Sequence, residues 1–470
     1  MNRYIAIIIA ALTATEMQAF QLAPRLVVNI TIDQLRTDYI EAFSPLYCQG
    51  GLRKLFAESI VYDAASYPYA PVDKASAIAT LSTGTTPYYH GIVSSKWLDR
   101  STLSPVFCIE DSKHYLSPAK LATSTIGDEM KISSNGTSIV YSVAADPETS
   151  ILSAGHAADA AIWIDGKTGK WRTSTYYGAT PPAWFKAYTS ISTQSIKDKA
   201  ATNDAVVDMS LQVIKSTAMG KDDVSDMINI TLTAAKPDGT AVTDWKTEME
   251  SVYMKLDKTL EKLIEGIEKE IGKEHALFFI TSTGYATETA TNLEKYRIPT
   301  GTFYINRTAN LLNMYYGALW GQARYVDTYL GNQIYLNHQQ LENKRITLVD
   351  ATLRAQEFLS MVAGIRNVYT GQQLLSNTNP NIHKIRNGYS QERCGDILVE
   401  VNPGWRILNE DNMENTLSRA SYIQFPIIMF GCGMKSGRID DNVTVDRIAP
   451  TLSKSIRIRA PNACSSEPLF

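Results

Sequence analysis

The segment Leu26-Val27-Val28-Asn29-Ile30-Thr31-Ile32 narrows most sharply what this chain can fold into. It is β-branched and apolar with little polar alternation, as expected of a strand buried on both faces of a parallel sheet. The strand ends on Asp33, and a helical stretch follows through Tyr39 and Leu52 to Phe56. In open α/β sheets ligands bind beyond the carboxyl ends of the strands, so an acid at this point is placed for chemistry. The same pattern returns at Met227 to Leu232, Ala276 to Ser282 and Phe425 to Phe430. Between two of these runs, Val252, Tyr253, Leu256, Leu260, Leu263, Ile264 and Ile267 share one helical face, with Lys and Glu opposite. Alternation of this kind predicts an α/β fold built on a doubly wound, mostly parallel sheet.

Two stretches interrupt the alternation. Residues 113–225 and 291–400 are expected to be inserted cap regions, leaving 20–112, 226–290 and 401–470 as the α/β core. A chain of 470 residues with 44% hydrophobic and 20% charged residues is ordinary globular material. Its net charge of −3 supplies no field for nucleic acid. Asn2-Arg3, the short apolar run from Ile5 to Leu12 and the small residues up to Ala19 predict a signal peptide over residues 1–19. The apolar run is about half of the ~20 residues that cross a bilayer, so the mature chain is expected to be exported, periplasmic or in the cell envelope, without a membrane span. Five cysteines, Cys48, Cys108, Cys394, Cys432 and Cys464, have no CxxC spacing, which argues against a thiolate zinc site. One or two disulfides are compatible with an oxidising compartment.

Several segments then resemble one family in order along the chain. They are Ile32-Asp33-Gln34-Leu35-Arg36; Tyr69-Ala70-Pro71 through Thr83-Gly84 with Pro87 and His90-Gly91-Ile92; and Ala154-Gly155-His156-Ala157-Ala158-Asp159 with Thr173 to Tyr177. Ile305-Asn306-Arg307, Leu311 to Tyr315, Gln333 to His338, Gly395-Asp396-Ile397, Asn402-Pro403-Gly404-Trp405 and Val445 to Leu452 continue the series. Together they resemble the alkaline phosphatase superfamily, in the periplasmic phosphate-irrepressible, type I phosphodiesterase/nucleotide pyrophosphatase branch. The resemblance implies attack by a Thr or Ser hydroxyl on a phosphoryl group between two zinc ions, which stabilise the attacking and leaving oxygens.

Carried over position by position, that chemistry is missing its parts. Asp33 keeps the acid that ends the first strand, and Lys74 stands at the nucleophile position, ten residues before Gly84. Thr283 and Gly284 replace an Asp-His pair, while Lys236 and Thr240 replace another Asp and His. A late His before the Phe425-Pro426 strand falls near Asn415. Two phosphate-gripping cations become Asp146 and Glu148, and an Asn becomes Ser95. Of about six metal-ligand positions only Asp33 retains a ligand. None of the six His forms an HxH or HExxH pair.

The expectation is therefore an exported pseudophosphatase that binds or scaffolds, with an unidentified protein or envelope partner and no cofactor. One alternative is an active metal-dependent phosphomonoesterase or phosphodiesterase, using zinc, whose ligands lie at other positions. Another is a metal-free hydrolase using Ser76 with Lys74, beside Asp73. Lys74 is expected to pair with Asp33, since an unpaired buried carboxylate is costly. His156 reads as a packed, hydrogen-bonded histidine, and most of the 25 Tyr as cap packing.

Overall fold

The computed structural model describes residues 23–178, 181–186, 198–236, 245–285, 299–376, 379–418 and 423–470. The expected signal peptide, residues 1–19, lies outside them, as does Thr240. At the centre is a ten-stranded sheet. In chain order its strands are β1 (Leu26–Asp33), β2 (Ile60–Ser66), β3 (Val140–Ala144), β4 (Ala160–Ile164), β5 (Trp171–Thr173), β6 (Asp226–Thr233), β7 (Ala276–Ser282), β8 (Phe425–Gly431), β9 (Gly437–Ile439) and β10 (Val443–Thr444). In space they run β9-β2-β8-β7-β1-β6-β3-β4-β5, with β10 beside β2.

The run that opens the chain's core is the middle of this sheet. β1 pairs in parallel with β6 from Leu26↔Asp226 to Asp33↔Thr233, and with β7 from Leu26↔Ala276 to Ile32↔Ser282. Alternate side chains enter two hydrophobic clusters on its two faces. Val27, Met227, Leu277 and Phe279 join one; Leu26, Val28, Ile30, Ile32, Phe278 and Ile280 join the other. Asn29, the polar break in the run, is buried, and its amide donates to Asn229 Oδ1 at 2.9 Å. Asn229 in turn donates to the Ser153 carbonyl at 3.1 Å, so the polar pair is satisfied inside the sheet.

Four helices frame the sheet near its carboxyl edge or cover its faces: α1 (Lys74–Thr83), α2 (Pro147–Ala154), α3 (Lys199–Thr217) and α4 (Trp245–Ile271). On α4, Tyr253, Leu256, Leu260, Leu263, Ile264 and Ile267 are buried, as the periodicity predicts. The fold is the expected mixed α/β architecture around a mostly parallel sheet.

Two expectations need correction. Residues 113–225 are not a cap: β3, β4 and β5 extend the central sheet, because the apolar runs Val140–Ala144 and Ala160–Ile164 are short enough to be hidden among Thr- and Ser-rich loops. The Phe425 strand does not follow the parallel pattern either. β8 runs antiparallel to both β7 and β2, so its first residues, not its last, lie at the carboxyl edge of β1 and β7. Residues 302–417 carry two smaller sheets and a third hydrophobic cluster of their own. Polar stitches join this region to the core: Arg100 bonds Asp396 at 3.2 Å, and Arg393 donates to the Gly91 carbonyl at 2.6 Å. All five cysteines are free thiols, so no disulfide braces the chain. No described helix is long and apolar enough to cross a membrane.

Phe278 is fully buried and tilts against Phe430 with ring centroids 5.6 Å apart. Phe278→Ala is expected to cost about 3–5 kcal/mol of unfolding free energy, read from urea denaturation.

Candidate functional site

At the carboxyl edge of β1 and β7 the chain brings Asp33 and Thr283 together. The Thr283 hydroxyl donates to Asp33 Oδ1 at 2.8 Å and accepts from the Gln34 amide at 3.2 Å. The Gln34 side chain reaches Asp33 Oδ2 at 3.4 Å. Gln34 sits in the left-handed region, φ 65°, where the chain turns off the strand. Burial pushes the Asp33 carboxyl above its ordinary range, against the lowering by Thr283 and the nearby Lys74 charge. A hydroxyl and an amide thus serve this acid where the family resemblance implies a metal ion.

Lys74 is held by α1, whose start is strongly specified. The Asp73 side chain accepts from the Ser76 amide and the Ser76 hydroxyl returns to the Asp73 backbone, a complete capping box. Lys74 follows as the first helical residue, at the positive end of the helix dipole, a poor place for a cation. Asp146 compensates: its Oδ2 accepts from Lys74 Nζ at 3.0 Å while its Oδ1 caps α2 through the Thr149 amide, also at 3.0 Å. The expected Lys74–Asp33 ion pair is not formed. Asp146, whose position as helix cap already aims its carboxylate at the edge, takes the ammonium instead.

Glu148 lies one step into α2. Its Oε1 accepts from the Ser95 hydroxyl at 3.1 Å, and its Oε2 lies 3.6 Å from the Cys108 thiol, a contact the sequence did not suggest. The Ser95 amide donates to Asp73 Oδ2 at 2.8 Å. Burial, with Asp146 and Asp73 adding repulsion against the attraction of Lys74, pushes the Glu148 carboxyl up to about 7. Ser76 is fully buried, and its hydroxyl is spent in the capping box, donating to the Asp73 carbonyl at 3.1 Å. It is not paired with Lys74, and the Ser–Lys hydrolase arrangement is not assembled.

The remaining positions do not supply zinc donors. Gly284 has φ +62°, and a Cβ there would come within 2.8 Å of the rings of both Tyr67 and Phe425. The place where the resemblance implies a histidine is crowded by two aromatic side chains. Lys236 follows β6 and pairs with Glu248 at 3.2 Å. Asn415 does not reach the edge; it lies on the strand Glu414–Leu417, opposite Leu408 in a peripheral sheet. Because β8 is antiparallel, its start lies at the edge, and among the described residues Gln424 there accepts from the Thr37 amide through its carbonyl at 3.0 Å. Among the described residues no three His, Cys, Asp or Glu side chains converge as a metal site. An ammonium at the position that the resemblance assigns to the nucleophile and a ring-crowded glycine do not fit a two-zinc centre.

The histidines in the matching motifs are structural. His156 Nδ1 lies 3.1 Å from Asp128 Oδ2, and its Nε2 lies 3.1 Å from the Leu121 carbonyl. The bond to Asp128 holds the His156 imidazole above its ordinary range. His90 is buried against Thr80, and burial first, then Arg393, pushes it down to about 3.

A family model described as type I phosphodiesterase / nucleotide pyrophosphatase matches residues 27–423. Alkaline phosphatase PafA of Elizabethkingia meningoseptica is 24% identical over 95% of this chain and 94% of its own length. Alkaline phosphatase PhoV of Synechococcus elongatus is 23% identical over 93% of this chain and 91% of its own length. A crystal structure of wild-type alkaline phosphatase PafA superposes with TM-score 0.82 at 23% identity, covering 95% of this chain and 98% of that one. At that identity the structural likeness speaks for the fold.

Two outcomes test the site's construction. Gly284→His is expected to lower stability by about 2 kcal/mol or more, through the ring clash and the positive φ, without gaining zinc by metal analysis. Glu148 is harder to ionise folded than unfolded, so its contribution to stability is full below the usual carboxylate range and is lost as pH rises to about 7. Glu148→Gln is expected to gain on the order of 2 kcal/mol relative to the parent at pH 8 and nothing at pH 4, read from denaturation at each pH.

Proposed function

The chain belongs to the type I phosphodiesterase / nucleotide pyrophosphatase family, and within it we propose an exported pseudophosphatase that binds a ligand or partner at the old catalytic edge. One observation carries this reading: the nucleophile position holds the Lys74 ammonium, tied to Asp146 at 3.0 Å. A protonated amine has no lone pair with which to attack phosphorus or to ligate zinc. Asp146 and Glu148 replace the cations that would grip phosphate, so an anionic ester meets carboxylates there. What persists is a built edge with hydroxyl, carboxylate and ammonium groups, suited to binding by a protein or envelope partner. Export rests on the N-terminal Asn2-Arg3 and Ile5 to Leu12 segment.

A second reading is an active metal-dependent phosphomonoesterase or phosphodiesterase. It is favoured by the relatives themselves, named alkaline phosphatases that align with more than nine-tenths of this chain. Its zinc ligands would have to come from positions other than those that match the family's ligand pattern.

The two readings separate on the purified protein. Zinc content is measured together with hydrolysis of p-nitrophenyl phosphate and bis(p-nitrophenyl) phosphate, with and without added zinc. The pseudophosphatase predicts no stoichiometric zinc and background rates, and no recovery in Lys74→Thr, because one hydroxyl does not rebuild a metal site. Bound zinc with chelator-sensitive turnover would establish the second reading instead.

A further inference from the structure

Lys74 is buried more than a lysine usually is and sits where helix geometry disfavours it, so its retention calls for a physical reason. Its surroundings supply one. Asp146 contacts the ammonium at 3.0 Å from the start of α2, Glu148 follows on the same turn, and Asp33 closes the edge from the end of β1. Asp73 is served separately, by the Ser76 and Ser95 amides at 2.9 and 2.8 Å. Asp146 therefore pairs with Lys74 directly, while Glu148 and Asp33 act on the same ammonium through space.

We infer that Lys74 is a tethered counter-ion, an ammonium that neutralises Asp146, Glu148 and Asp33 and so lets this edge fold without a bound cation. The inference rests on the reading that the edge holds no zinc. Carboxylates crowded in a partly desolvated pocket repel one another, and removing their counter-charge leaves an uncompensated cost. Burial opposes the charge on Lys74, yet Asp146, Glu148 and Asp33 hold its ammonium above the ordinary lysine range, which also keeps it from acting as a nucleophile.

A thermal double-mutant cycle on the whole protein at pH 8 tests this, with Lys74→Met, Asp146→Asn and the double variant. Lys74→Met is expected to melt about 2–4 °C below the parent. The double variant should recover most of that loss, and Lys74→Arg should melt with the parent. If Lys74→Met does not fold, a folded double variant gives the same support. A melting point for Lys74→Met equal to the parent's, or a loss that Asp146→Asn does not reduce, overturns the inference, as does failure of both variants to fold. Turnover by the parent would sink the pseudophosphatase reading and leaves this cycle readable, because it reports charge pairing and not catalysis.

Discussion

The pairing of β1 on both sides by parallel strands organises everything else in this protein. Its register with β6 and β7 runs unbroken from Leu26, so Asp33 ends level with Thr233 and one residue beyond Ser282, which pairs with Ile32. Everything that touches the edge does so because those three strands stop within a residue of one another. Thr283 reaches Asp33 across one strand spacing, and Gln34 turns back over both. The alternation of Val27 and Val28 into opposite hydrophobic clusters anchors this register, since a slip by one residue would invert every side chain.

Around that fixed edge the polar groups are served by the chain's own hydrogen bonds and charges. Asp33 is satisfied by a hydroxyl and an amide, Asp146 by an ammonium and a helix amide, and Asp73 by two backbone amides. The substitutions fit one another. Thr283, where the resemblance implies a carboxylate, gives Asp33 a donor instead of a repulsive neighbour, and glycine at 284 makes room for the rings of Tyr67 and Phe425. Tyr67 in turn donates to the Ser282 carbonyl at 2.9 Å, closing the end of β7. Such mutual support is what a packed polar edge requires, since each unpaired buried group is expensive.

The relation to the alkaline phosphatases therefore has two scales. Over the whole chain the fold and the order of motifs agree with proteins named as alkaline phosphatases. At the edge, single side chains decide the chemistry, and the fold alone does not determine it. The family motifs that survive, such as Gly155-His156 and His90-Gly91, shape backbone: His156 ties to Asp128 and His90 to Thr80.

Local sequence determined a good deal of this protein. The apolar runs marked β1, β6, β7 and β8, and the 3.6-residue period marked α4, because burial on both faces or one face leaves a direct trace in residue order. The identities of Lys74, Thr283, Gly284, Asp146 and Glu148 were legible too. Tertiary structure decided the rest. That 140–173 belongs to the sheet, that β8 is antiparallel, that Asn415 lies in a peripheral sheet, and that Lys74 chooses Asp146 over Asp33 depend on strand order, direction and a cap's aim. Those are properties of residues distant in the chain, and charge pairing between them is set by distance in space, which residue order does not encode.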